Sequence, residues 1–302
     1  MSVAATPRSA LLPALALAFN ALVWGCSWWP LRQFERLGLH PLWTTLFVYV
    51  TAMVVIIALR PRAVMQVLRS PALWVLVLAA GTTNATFNWA VVIGDVVRVV
   101  LLFYLMPLWT VLLAHALLNE RLNRHAGVRV ALALVGAAIV LWPPERTGWD
   151  NLPVPRSLPD WLGVLGGLSF ALNNVMLRRE ARRPEEGRAL AMFFGGALVS
   201  GVLATLLAGN AQVPWPPAPA WPWMAGALAL AAAFLAGNLA LQFGASRLPA
   251  NVTSVVMLTE VVFASASALW LGGGTLSGPL LVGGGLILAA ALLSAFEPQA
   301  TP

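Results

Sequence analysis

Long apolar runs alternate with short connections rich in arginine and proline, and ten runs can be marked off: residues 10–31, 41–59, 71–93, 96–118, 126–142, 159–178, 189–209, 221–245, 249–271 and 278–296. The hydrocarbon layer of a bilayer is about 30 Å thick, so a helix rising about 1.5 Å per residue needs about 20 apolar residues to cross it. The runs supply that length. A spanning strand would instead need about 10 residues of strict alternation, which no run shows. The pattern therefore predicts an all-α integral membrane protein of ten transmembrane helices. Between the eighth and ninth runs only Ser246, Arg247 and Leu248 intervene before Pro249, but a single helix there would be too long for one crossing. The first run has no small-residue cleavage site and is followed by further spans, so it reads as a retained helix rather than a signal peptide.

Composition agrees: the 302 residues are 60% hydrophobic and 10% charged, with a mean hydropathy of +0.81. The net charge of +7 resembles a nucleic-acid signal until the basic residues are placed. All are arginine, and they cluster between the apolar runs or at their ends, where they act as topology determinants. With the N-terminus inside, the cytoplasmic side holds Arg8, Arg60, Arg62, Arg69, Arg121, Arg124, Arg129, Arg178, Arg179, Arg182, Arg183, Arg188 and Arg247. The outside keeps only Arg32, Arg36, Arg98, Arg146 and Arg156. Both termini are thus expected in the cytoplasm, with no nucleic acid as partner. The longest loops, 143–159 and 210–222, then lie outside. Trp215, Trp221 and Trp223 are expected at headgroup level as an aromatic belt.

Shifting the chain by 154 residues lays the third to fifth runs on the eighth to tenth without a gap. Asn84 falls on Asn238, Asn88 on Gln242, Leu122 on Leu276 and Leu132 on Leu286. Two five-helix halves follow, residues 1–145 and 159–302, joined by an outside loop at 146–158. Because five is odd, the second half enters from the opposite face, and the halves are inverted about an axis in the membrane plane. Inverted repeats with a midplane site between them belong to transporters working by alternating access.

Polar side chains in apolar helices avoid lipid and point into the bundle or a wet cavity. Asn20, Trp24 and Ser27 share one helical face in the first run, Asn84 and Asn88 another in the third, Ser169 and Asn173 one in the sixth, and Asn238 and Gln242 one in the eighth. Each amide alone serves equally as glue between helices. Together they describe a cavity of neutral donors and acceptors, suited to a zwitterion. Glu260 reads as mid-helix, about eleven residues from either end of the ninth run. It either binds the substrate ammonium, carries a coupling proton or is a protonated structural carboxyl; its counterpart under the 154-residue shift is Met106. Tyr104, Met106 and Trp109 surround Pro107, whose missing N–H predicts a kink and a hinge. Gly272 to Gly274 read as an outside turn, and Gly283 to Gly285 as a packing face.

The lone Cys26 makes no internal disulfide, and His40, His115 and His125 are too scattered to hold a metal. No cofactor is expected. An intramembrane enzyme would need a converging catalytic pair, which the sequence lacks. The chain contains no lysine, so a phosphate-binding loop that ends in lysine, and with it direct ATP coupling, is excluded.

The chain resembles the drug/metabolite transporter superfamily in its EamA-type, ten-helix form. Pro107, the Asn119, Glu120, Arg121, Leu122 turn and Gly136 follow the end of an EamA repeat, and Val23, Trp24 and Gly25 the opening of its first helix. In the second half Glu260 and Gly283 match; Val261 stands where a proline is usual, and Gly274 where a second loop glutamate is expected. With its many tryptophans the chain is most similar to the YddG-type aromatic amino-acid exporters. The resemblance implies a secondary exporter of neutral amino acids, aromatic ones included, in a bacterial inner membrane. The substrate site would use Asn20, Trp24, Asn84, Asn88, Tyr104, Met106, Trp109, Asn173, Asn238, Gln242 and Glu260, with Pro107 as hinge. Exporters of other metabolites or drugs on the same scaffold, and more remotely a channel, are the alternatives. Lipid is the other expected partner, and a monomer suffices.

Overall fold

The computed structural model describes residues 7–118, 124–141, 154–180, 182–245, 247–248 and 256–295, and these form only helices, turns and loops. In chain order the helices are α1 (Pro7–Cys26), α2 (Trp28–Arg36), α3 (Pro41–Leu59), α4 (Arg62–Leu68), α5 (Pro71–Ile93), α6 (Val96–Phe103) and α7 (Met106–Leu118). They continue with α8 (Arg124–Leu141), α9 (Leu158–Arg179), α10 (Glu185–Gly209), α11 (Trp221–Ala245), α12 (Thr259–Leu271) and α13 (Gly278–Ala295). The Asn119 to Leu122 turn, most of the 143–159 loop and the start of the ninth run lie outside the described residues.

Among the described residues six stretches are long and apolar enough to cross a membrane: Leu11–Arg36, Pro41–Leu59, Pro71–Ile93, Val96–Leu117, Glu185–Gly209 and Trp221–Leu241. Val130–Val140, Thr259–Leu271 and Gly278–Ala290 are shorter apolar helices. The chain is a multi-pass membrane protein.

The helix ends follow local chemistry. Pro41 and Pro71 open α3 and α5, where a missing N–H costs nothing. Ser70, Asp95 and Ser157 accept backbone N–H bonds at the starts of α5, α6 and α9. Two features depart from the sequence reading. The first span does not end at residue 31 but breaks at Ser27 and runs on to Arg36, which places Arg32 on a helix rather than in a loop. The break has two causes: Pro30 cannot donate to the Cys26 carbonyl, and the Ser27 hydroxyl donates to the Trp24 carbonyl at 2.7 Å. Arg98 lies on α6, within the 96–118 run. The connection 60–70, expected as plain loop, contains α4, because Ala63 and Val67, four residues apart, bury one face.

Helix pairing follows a pattern. α5 packs on α9 and α10, and α11 packs on α1 and α3. α1 meets α12, while α9 meets α6 and α7. α3 meets α10, α6 meets α12 and α8 meets α13. In the last pair a Cβ on Gly136 would sit 2.6 Å from the Gly283 carbonyl oxygen, and one on Gly283 would sit 2.6 Å from the Gly136 carbonyl oxygen, so the backbones touch only because both are glycine. Arg98 clamps three helices: it pairs with the buried Asp160 of α9 through two bonds of 2.7 and 3.0 Å and donates to the Val140 carbonyl of α8 at 2.7 Å.

Candidate functional site

α1, α3, α5, α6, α9, α10, α11 and α12, together with Met257 just ahead of α12, surround one cavity that, with the space it opens onto, measures about 830 Å³. Its polar lining is Asn20 and Trp24 from α1, Tyr49 from α3, Thr83 and Asn84 from α5, Asn173 from α9, Asn238 from α11 and Glu260 from α12. The rest is apolar: Phe87, Phe103, Phe170 and Phe193 with Ala80, Met192, Leu241 and Met257.

Aromatic contacts set the wall. Trp24 stacks on Phe234 with centroids 4.5 Å apart, and Phe103 lies 4.8 Å from Phe87 and 5.2 Å from Phe170. Tyr49 lies 5.5 Å from Phe193 and donates to the Asn84 carbonyl oxygen at 2.6 Å, while the Asn84 amide donates to the Ala80 backbone. Asn84 is thereby locked in one orientation. Asn20 is fully buried, and neither of its amide atoms has a partner among the described residues; the same holds for the oxygen of Asn173. Such groups suit a ligand that supplies the missing bonds.

Glu260 differs from its sequence placement. It is not in mid-helix but in the first turn of α12, after a break at Leu258. In the first turn of a helix an acidic side chain lies toward the positive end of the helix dipole. The Tyr104 hydroxyl lies 3.5 Å away as donor. α6 and α7 break at Tyr104 and Leu105, the positions that the 154-residue shift lays on Leu258 and Thr259. Pro107 explains the first break, since it leaves the Phe103 carbonyl without its donor. That carbonyl points at Gly167 of α9, where no Cβ would fit. The second break has no proline. There Thr259 donates its hydroxyl to the Val256 carbonyl at 2.6 Å, and a Cβ on Gly25 would sit 2.7 Å from the Glu260 carbonyl oxygen, so α1 presses on α12 at this turn.

Of the residues singled out from sequence, Asn20, Trp24, Asn84, Asn173, Asn238 and Glu260 meet in the cavity, with Tyr104 beside Glu260. Asn88 does not join them: it is buried between helices and donates to Thr45 at 3.1 Å. Met106 and Trp109 are half-buried against the apolar core, away from the lining. The side chains of Gln242 and Pro107 lie outside the described residues. The sequence reading missed Tyr49, although a tyrosine in an otherwise apolar run is a signal, and Phe87, which follows Asn84 by three residues on the same face. Phe193 and Met192 carry no such mark.

One end of the cavity is closed. Its walls converge on a small space of about 190 Å³ between Trp24, Trp28, Phe87, Val91, Val96, Val100 and Glu260. Beyond it Arg32 donates to the carbonyls of Val91 at 3.1 Å, Gly94 at 2.5 Å and Gly273 at 3.4 Å, with its guanidinium over the Trp28 ring at 5.0 Å. The turn after α12, with Gly272 at a positive φ of 69°, is fastened to α6 by Val96 N–H to the Gly273 carbonyl and by Thr275 N–H to Asp95 at 2.8 Å. Trp28 donates to Ser267 of α12 at 2.9 Å.

Residues 11–142 match the EamA-like transporter family. The search among curated proteins found no match. A solved structure, described only as the crystal structure of a protein, is similar over 96% of this chain and 97% of its own, with a TM-score of 0.57 and 20% identity. It shows a shared fold along almost the whole chain.

Proposed function

We propose, because residues 11–142 match the EamA-like transporter family, that the whole chain is a ten-span secondary transporter built of two inverted five-helix halves. In this reading it exports neutral amino acids, aromatic ones included, across a bacterial inner membrane by alternating access. The observation that carries the proposal is a shared cavity, to which the two halves contribute corresponding residues. Asn84 and Asn238, Phe87 and Leu241, and Phe103 and Met257 are each 154 apart, and all six line it. The helix pairs agree with such symmetry: α5 with α9 and α10 mirrors α11 with α1 and α3. A site on the axis between inverted halves can be presented to either side by rocking one half on the other.

Within the cavity the substrate ammonium is assigned to Glu260, the carboxylate to the amide donor of Asn20, and the side chain to the Trp24 and Phe87 side of the aromatic wall. The one carboxylate gives the lining a direction. With both termini cytoplasmic, the Arg32 cluster lies on the outer side and the arrangement is closed outward. An exporter of other metabolites or drugs would share the scaffold and differ in the ligand this lining accepts.

The test is counterflow of labelled phenylalanine, threonine and an unrelated metabolite in proteoliposomes, with Trp24→Ala and Glu260→Gln alongside. Saturable amino-acid exchange that falls in both variants is the expected result. If a folded protein moved no amino acid, the substrate assignment would be wrong; full activity in Glu260→Gln would remove that residue from the site.

A further inference from the structure

Away from the cavity, a groove runs between α4 and the residues leading into α10. It measures about 560 Å³ with the space it opens onto, and Gln66, Arg69 and Ser70 face Arg183 and Pro184 across it. Its depth in the membrane follows from connectivity. α4 joins Pro41–Leu59 to Pro71–Ile93, two stretches long enough to span, so a seven-residue helix between them lies at the membrane surface.

The groove has a basic interior and an apolar edge. The Arg69 side chain is exposed and forms no ion pair or hydrogen bond among the described residues. Arg183 spends its Nε on Glu180 and keeps its terminal nitrogens. Glu186, in the first turn of α10, is engaged by the Gln66 amide at 3.1 Å. Met65, which lines the groove, and Leu59 and Leu68, at the ends of α3 and α4, are 47%, 68% and 57% exposed. Arginines that only set topology need to be in the connection; they need not face one another across a groove.

We infer that this groove binds the phosphate-bearing headgroup of an anionic phospholipid, held between Arg69 and Arg183 with the acyl chains along Leu59, Met65 and Leu68. Guanidinium groups match phosphate oxygens in a two-point geometry, and basic pockets at the membrane surface suit anionic headgroups. The shared chemistry is phosphate, which a free solute could also supply.

The experiment is lipid retention by the purified full-length protein, read by native mass spectrometry after incubation with phosphatidylglycerol or phosphatidylcholine, with and without inorganic phosphate. The variants are Arg69→Gln, Arg183→Gln and the double change; Arg62→Gln on α4, outside the groove, is the control. Phosphatidylglycerol should be retained in preference to phosphatidylcholine. Each groove variant should weaken retention about 5-fold and the pair about 30-fold, the factors that about 1 kcal/mol per arginine implies. The control should match wild type. Equal retention of both lipids, or unchanged retention in the double variant, would overturn the site. Displacement of the lipid by millimolar phosphate would assign it to a soluble anion. Should a glutamine variant fail to fold, Arg69→Lys and Arg183→Lys keep the charge and lose the fork. They should show a partial loss, and wild-type retention in both would overturn the paired-arginine geometry.

Discussion

Arg32 holds the closed end of the cavity by linking α2, the end of α5 and the turn after α12. Replacing it with glutamine removes the guanidinium from the Val91 and Gly94 carbonyls, which it meets at 3.1 and 2.5 Å, and loses the longer contact to Gly273. Hydrogen bonds from charged donors contribute about 1.5–3 kcal/mol each when well buried. Arg32 is half-buried, so about 1 kcal/mol for each of the two short bonds is the appropriate scale. A loss of about 2 kcal/mol shifts a two-state equilibrium about 30-fold, enough to bring an open state from the percent level to a substantial share. The readout is the distance distribution between spin labels at Glu35→Cys and Ser277→Cys in a Cys26→Ser background, with and without Arg32→Gln. Both label positions are exposed at this end, and Cys26 is the chain's only cysteine. A second, longer distance should grow in the variant. An unchanged distribution in a folded protein would mean that Asp95, Thr275 and Trp28 hold the closure and that Arg32 is a bystander.

Asn20→Leu removes a fully buried amide whose atoms lack partners among the described residues, so it should raise thermal stability by about 1–3 kcal/mol while reducing substrate exchange; lower stability would show that the amide is satisfied within the packing. Gly136→Val forces α8 off α13 and should lower stability by about 1–3 kcal/mol in a thermal unfolding series, whereas Gly285→Val on the same α13, where a Cβ meets nothing, should not. His40, in the connection between α2 and α3, has its pKa lowered to about 4 by burial. The unfolded chain therefore takes up this proton first. Its contribution is full above pH 6.5 and declines as pH falls toward 4, so His40→Gln should flatten the stability profile in that window; an identical slope in both proteins would remove His40 as its source.

Much of the fold was legible because lipid imposes one demand on every span, about 20 apolar residues with all backbone groups bonded internally. That demand appears in composition without any knowledge of neighbours. Pro107 marked a break for the same reason, since a missing N–H acts on its own helix. The unexpected break at Leu258 depends instead on Gly25 pressing α1 against the turn, a contact between residues 235 positions apart. Polar residues in apolar runs pointed to Asn20, Asn84, Asn173 and Asn238, but amide chemistry alone does not distinguish a cavity wall from a helix contact. Asn84 lines the cavity while Asn88, one turn on, bonds to Thr45. The sequence by itself determined a multi-pass helical membrane protein and the polar faces of its helices, because both follow from each helix meeting lipid. Only the tertiary structure decided which faces meet, that Glu260 stands at a helix start, and that Arg32 closes one end. Those outcomes depend on how helices distant in the chain cross, and on where glycines let their backbones touch.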